Sequence, residues 1–302
     1  MAGLKELRSR ISSVKSTEKI TSAMKMVAAS RLRRAQDVLL KNKDYRQTLY
    51  NTITSVMCRM HTLSAEKGLP VKEHGLCLPK SENKKYLLVI LSSDKGLCGS
   101  YNSSIGKVAM ARIEQLKAEG KEVQLITLGA RGYNMLKRNY KNLIVRNAES
   151  VVNQGVNYCE AEALADEIIG MFNDNKIDVC EVVYSHFKSA LSRDVKSEKV
   201  LPFDIDYVKT NANDMFGNAG YIIEPDCESL LETLIPLAFK EFIFDIMINS
   251  QASEQGARMT SMDNATRNAG DMISKLTLRY NRLRQGAITT ELTEIIAGAE
   301  AV

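Results

Sequence analysis

The chain has no tryptophan, and aromatic residues make up only 6% of its 302 positions. That is sparse for one compact core and suits packing by Leu, Ile, Met and Ala. Proline is missing before Pro70, and glycine is missing between Gly3 and Gly68. Nothing therefore breaks a helix over residues 3–62. No run approaches the ~20 uncharged apolar residues that span a bilayer, so any membrane role is peripheral. A charged segment, LKELRSRI, opens the chain in place of a signal peptide. The six cysteines (58, 77, 98, 159, 180, 227) show no CxxC pair, although Cys77 stands three residues after His74 and Cys58 three before His61. The scattered cysteines are expected to be reduced thiols of an intracellular protein, with no zinc site.

Two long helical patterns are present. At the N-terminus, Leu4, Leu7, Ile11 and Val14 step by 3, 4, 3. Ile20, Met24, Val27, Ala28, Leu32, Ala35 and Leu39 follow, with a drift in phase around residues 15–20 that a strict heptad would need a restart to explain. At the C-terminus, one helix is expected from an N-cap at Asp226 to Glu300. Its stripe is Met262, Ala265, Ala269, Met272, Leu276, Tyr280 and Leu283. At 1.5 Å per residue it would be roughly 110 Å long and would project from any domain of this size. Its first part, Leu230–Ile248, is apolar almost all round and is expected to be buried on several sides. Gly256, Gly270 and Gly286 suggest local thinning or a close helix approach. Two striped helices at opposite ends most simply pair as an antiparallel coiled coil.

Between them the period changes. YLLVIL (86–91), VQLITL (123–128) and Val179–Tyr184 read as strands, with an edge strand at Lys199–Val208. Helices are expected at Ser103–Ala118, Ala130–Arg138 and Tyr158–Phe172. This alternation predicts an inserted, mostly parallel α/β (Rossmann-like) domain. The expected division is an N-terminal shaft helix at 1–62, a linker at 63–84, the α/β domain at 85–210, and a return segment with the C-terminal shaft helix at 211–302.

The loop SSDKGLCGSYN (92–102) follows a strand and precedes a helix, where phosphate loops sit, but it lacks both GxGxxG and GxxxxGK[ST]. A structural turn is the expectation, with Cys98 a buried thiol, since no general base lies nearby. Residues 1–46 carry twelve Lys/Arg against four Asp/Glu, net +8, which leaves −3 for the rest of a chain of net charge +5. The basic face (Lys15, Lys19, Lys25, Arg31, Arg33, Arg34) has no aromatic before Tyr45, so base stacking on nucleic acid is unsupported. A coiled-coil scaffold whose basic face meets acidic partners or nucleic acid stays open as an alternative.

Both termini then carry a family resemblance. ITSAMKMVAASRLRRAQ (20–36) resembles the N-terminal helix of the γ subunit of F-type ATP synthase. Ile288, Thr289, Glu291, Glu294, Gly298 and Ala299 match that family's C-terminal signature, and SEQGARM (253–259) and SSDKGLCG (92–99) resemble further segments. Gly256 stands where the family pattern suggests alanine. No close cysteine pair appears in an inserted loop, which disfavours the thiol-regulated chloroplast type. The resemblance implies a non-catalytic central rotating shaft, coupling proton-driven rotation of a membrane c-ring to conformational change in the β subunits. It implies one copy beside three α and three β subunits, with ε or δ and the c-ring at the base, no cofactor, no metal and no nucleic acid. It also implies shaft contacts at Met24, Arg31, Arg33, Arg34, Arg258, Gln285, Thr289 and Glu291, and an apolar tip of Ile288, Leu292, Ile295 and Ile296. The start of the chain favours the bacterial cytoplasmic side of an energy-transducing membrane over the mitochondrial matrix side.

Overall fold

A computed structural model describes residues 2–67, 74–80, 83–148, 155–190, 192–204 and 223–300. They form two compact units, one of residues 1–29 with 258–302 and one of residues 30–257.

Two helices contribute to both units: α1 (Ala2–Lys67) and the C-terminal helix α5 (Cys227–Glu300). Asp226 starts α5, its carboxylate accepting from the Ser229 backbone N–H at 2.8 Å and the Ser229 hydroxyl at 2.9 Å. These bonds hold that carboxyl below its ordinary value. The helix runs through Pro236 without a break.

In the 30–257 unit the strands are β1 (Lys85–Leu91), β2 (Glu122–Leu128), β3 (Ile144–Ala148), β4 (Val179–Phe187) and β5 (Arg193–Leu201). Their order is β3-β2-β1-β4-β5. The first four pair in parallel and β5 runs antiparallel to β4. Helices α2 (Tyr101–Ala118) and α3 (Ala130–Tyr140) close a core with Leu88, Ile90, Leu125 and Val183. A second core joins Leu87, Val89 and Val182 to α4 (Tyr158–Asn173), to Leu49–Met57 of α1 and to Leu231–Met247 of α5. The all-round apolar part of α5 is thus covered by a helix, a sheet and a second helix. The result is the expected Rossmann-like, mostly parallel layer set on the two terminal helices.

Two strands differ from the sequence reading. β3 (IVRNA) has no apolar run and was not expected; it is short, irregularly paired with β2, and largely exposed. The edge strand occupies Arg193–Leu201 rather than Lys199–Val208, ending just before Pro202, which offers no ladder N–H. Residues 205–208 lie outside the described residues, as do 68–73 and 81–82 of the expected linker and residues 211–222 of the return segment.

In the other unit the two helices run antiparallel. Lys25 meets Asp263, Thr21 meets Thr266, and Glu18 meets Gly270. None of the three glycines marks a forced approach. An added Cβ would find ordinary contacts at 3.5 Å at Gly256 and 3.7 Å at Gly270, and nothing within 4 Å at Gly286.

Candidate functional site

Two regions deserve a functional reading: the β1–α2 loop and the outer surface of the helix pair.

The loop is tied down from within. Ser92 Oγ accepts from the Gly132 N–H at 2.9 Å and donates to the Leu128 and Gly129 carbonyls at 3.1 Å. The Ser93 N–H donates to Asn102 Oδ1 at 3.0 Å, and Asn102 Nδ2 donates to Cys98 Sγ at 3.1 Å. Asp94 Oδ1 accepts from the Ala130 N–H at 2.9 Å, at the first turn of α3. A carboxylate of the chain itself therefore sits where a helix would receive an anionic ligand. Gly129 (φ 109°) closes the arrangement, since a Cβ there would lie 2.3 Å from the Ser92 carbonyl oxygen. Cys98 is buried among these bonds. The geometry is that of a cross-tied turn. Among the described residues, no cluster of His, Cys, Asp and Glu could hold a metal ion.

The helix pair is more informative. Up to residue 29 the buried or half-buried positions of α1 are 4, 7, 11, 14, 18, 21, 22, 24, 25, 28 and 29, and an unbroken 3–4 alternation runs through them from 4 to 28. The phase drift expected at residues 15–20 is therefore absent from the packing. The seam continues through polar residues instead. Lys25 Nζ pairs with Asp263 Oδ1 at 2.6 Å, and the Thr266 hydroxyl bonds the Thr21 hydroxyl at 2.8 Å. Apolar side chains are correspondingly turned outward: Ile20 is 60% exposed, Met26 64% and Val27 53%. Ile20 and Val27, expected in the seam, lie on the free face. On α5 the same correction applies to Met272 and Leu283, which are exposed, while Ile273 is half-buried beside the expected Leu276 and Tyr280. Sequence reading missed the outward face because apolar residues there are half a turn from the seam; the break in the stripe was the available signal.

Asp263 is held below the ordinary carboxylate value, first by the Lys25 hydrogen bond and then, against burial, by Arg267 and Lys25 charge. A depressed carboxyl contributes stability above its unfolded value of 3.8 and loses it as the pH falls through the folded one. Acidification below about pH 4 is expected to loosen this helix pair, read by circular dichroism, and Asp263→Asn should remove that acid step while leaving other acid transitions in place.

The contacts implied by resemblance are divided between the two units. Met24 is half-buried beside the outward patch. Arg31, Arg33 and Arg34 are exposed on α1 in the 30–257 unit. Arg258 is nearly buried, 8% exposed. Gln285, Ile288, Thr289, Glu291, Leu292 and Ile295 are exposed on the last turns of α5, with the Thr289 hydroxyl donating to the Gln285 carbonyl at 2.9 Å. Ile288, Leu292, Ile295 and Ile296 follow one another at helical steps and share an exposed apolar face. No helix of the described residues is long and apolar enough to cross a membrane.

Residues 3–302 match the family model described as ATP synthase. The ATP synthase gamma chain of Pelagibacter ubique is 41% identical over 304 residues, and that of Acidiphilium cryptum 43% over 306, each alignment covering all of both chains. Among solved structures, a chain of the central stalk and c-ring of the Tetrahymena thermophila mitochondrial ATP synthase aligns with a TM-score of 0.55 at 26% identity, covering 82% of this chain and 99% of that one. A chain of the Euglena gracilis mitochondrial ATP synthase aligns with a TM-score of 0.51 at 16% identity, over 90% of this chain and 95% of that one, a likeness of fold alone.

Proposed function

The chain belongs to the ATP synthase gamma-chain family, and from that membership we propose that it is the central rotating shaft of an F1Fo ATP synthase. The observation that carries the reading is the outward apolar face of the helix pair. Polar residues Thr21 and Lys25 interrupt the seam, while Ile20, Met26 and Val27 face outward. A free two-helix protein would place those groups the other way round, because each buried apolar side chain gains about 1.5–3 kcal/mol. An outward apolar patch on a helix pair fits an enclosing partner.

That partner is a ring of three α and three β subunits around one copy of this chain. The apolar face at Ile288, Leu292, Ile295 and Ile296 sits in the apolar sleeve of the ring. Met24, Arg31, Arg33 and Arg34 meet acidic loops of the β subunits, and Arg258, Gln285, Thr289 and Glu291 make further contacts with the ring. The ε or δ subunit and the c-ring bind the α/β domain. Because the shaft is asymmetric, each β subunit meets a different face of it. Rotation then changes the free energies of the three catalytic sites in sequence, the differential interaction that any such coupling requires. The chain itself makes and breaks no bonds and holds no nucleotide, and its β1–α2 loop carries neither GxGxxG nor GxxxxGK[ST]. It is peripheral on an energy-transducing membrane, on the bacterial cytoplasmic side in preference to the mitochondrial matrix side.

The triple charge reversal Arg31→Glu, Arg33→Glu and Arg34→Glu tests the contacts. These side chains are exposed, so helix content should be unchanged. ATP synthesis by the complex in proteoliposomes under an imposed proton gradient should fall at least about tenfold, the effect of losing one tenfold-sized interaction of about 1.4 kcal/mol. Synthesis at the unmodified rate would contradict the assignment of these arginines.

A further inference from the structure

Glu241, on α5 within the 30–257 unit, is a buried titratable group that the shaft mechanism leaves unused. It is 0% exposed. Oε1 accepts from Asn42 Nδ2 of α1 at 2.8 Å. Oε2 is buried and has no hydrogen-bond partner among the described residues. The nearest cation on α1, Arg46, forms its ion pair one helical turn away, with Asp245 at 2.6 Å. The other Asp245 oxygen accepts from Asn249 Nδ2 at 3.1 Å. An ionised Glu241 would therefore add a second carboxylate beside one guanidinium in a dry layer, which is costly.

The remaining groups around this layer do not relieve it. From α4, Tyr158 lies close enough to feel the Glu241 charge, and Tyr45 of α1 and Glu162 act on the same phenol. Lys240 of α5 points to Glu162 and Asp166. From β4, His186 faces Asp245 and is kept toward its neutral form, first by burial.

We propose that Glu241 is a proton-binding latch: with its proton it lets α1 close on α5 around residues 38–50 and 237–249, and without it that helix pair loosens. The latch belongs to the chain itself and holds whether or not the shaft reading does. Burial, and then Asp245, push the Glu241 carboxyl up to about 8, against the opposing Arg46 charge and Asn42 bond. A carboxyl raised in the fold favours the fold at low pH. That contribution is lost as the pH rises from the ordinary 4.5 through the folded value of about 8.

Amide hydrogen exchange on the full-length chain tests this, comparing wild type with Glu241→Gln at each pH so that intrinsic exchange cancels. The opening equilibrium of 38–50 and 237–249 in wild type, relative to the variant, should rise about tenfold per pH unit between pH 6 and 8 and level off near pH 9. A ratio that stays flat overturns the proposal. Asp245→Asn provides a second reading should Glu241→Gln fold poorly. Removing the like charge should lower the pH at which the loosening levels off by about one unit or more, with the onset left in place. A levelling-off that does not move overturns the latch as well.

Discussion

Phe239→Ala is expected to destabilise the 30–257 unit by about 3–5 kcal/mol. Phe239 lies on α5, fully buried, with its ring edge-on to Phe203 at 6.0 Å between centroids. It sits in the core shared by α1, α4, α5 and one face of the sheet. Four elements meet there, so the vacated volume cannot be refilled by one side chain moving. The lost transfer free energy and the residual cavity therefore add. A urea midpoint series at constant m-value measures the loss. A change below about 1 kcal/mol would mean that this face of α5 is not clamped by the sheet.

Arg112→Leu is expected to cost a similar amount, about 3–5 kcal/mol, by a different route. Arg112 on α2 donates to both oxygens of Glu181 on β4, at 2.8 and 2.5 Å, and Ser197 on β5 adds a third bond at 2.9 Å. Glu181 is buried in the sheet. Taking away the guanidinium leaves its charge with one hydroxyl in a low-dielectric layer. Replacing both partners, Arg112→Leu with Glu181→Leu, removes the stranded charge along with the pair. The double variant should regain most of the loss, and a double-mutant cycle on unfolding free energies separates the two effects. A double variant as unstable as Arg112→Leu would show that the loss came from packing of the arginine stem.

Much of this architecture could be read from the sequence because it rests on period and length. The runs YLLVIL and VQLITL are buried along most of their length on both faces, and such strands announce themselves as continuous apolar segments. The long helices could be read because no breaker interrupts α1, and because Asp226 caps α5. What escaped were elements held by pairing rather than by side-chain pattern. β3 and β5 are edge strands with exposed faces, so their sequences (IVRNA and RDVKSEKVL) carry little alternation to detect.

The candidate site was legible in part. The loop at 92–102 was readable as a turn from the spacing of its glycines, but the Asp94 contact to α3 joins residues 36 apart. No local pattern reports such a contact. The helix seam failed for a physical reason. Apolar periodicity finds the face that is buried only when water is the alternative. Here the seam at Thr21 and Lys25 is satisfied by Thr266 and Asp263 across the pair, so apolar residues were free to turn away. Reading that break as a phase slip hid the outward patch at Ile20, Met26 and Val27.

Native mass spectrometry of the tagged chain, purified from its own cells, tests the shaft assignment most directly. The account predicts one copy of this chain with three copies each of two larger subunits, in a complex that hydrolyses ATP. A free chain, or a homo-oligomer without those partners, would contradict it.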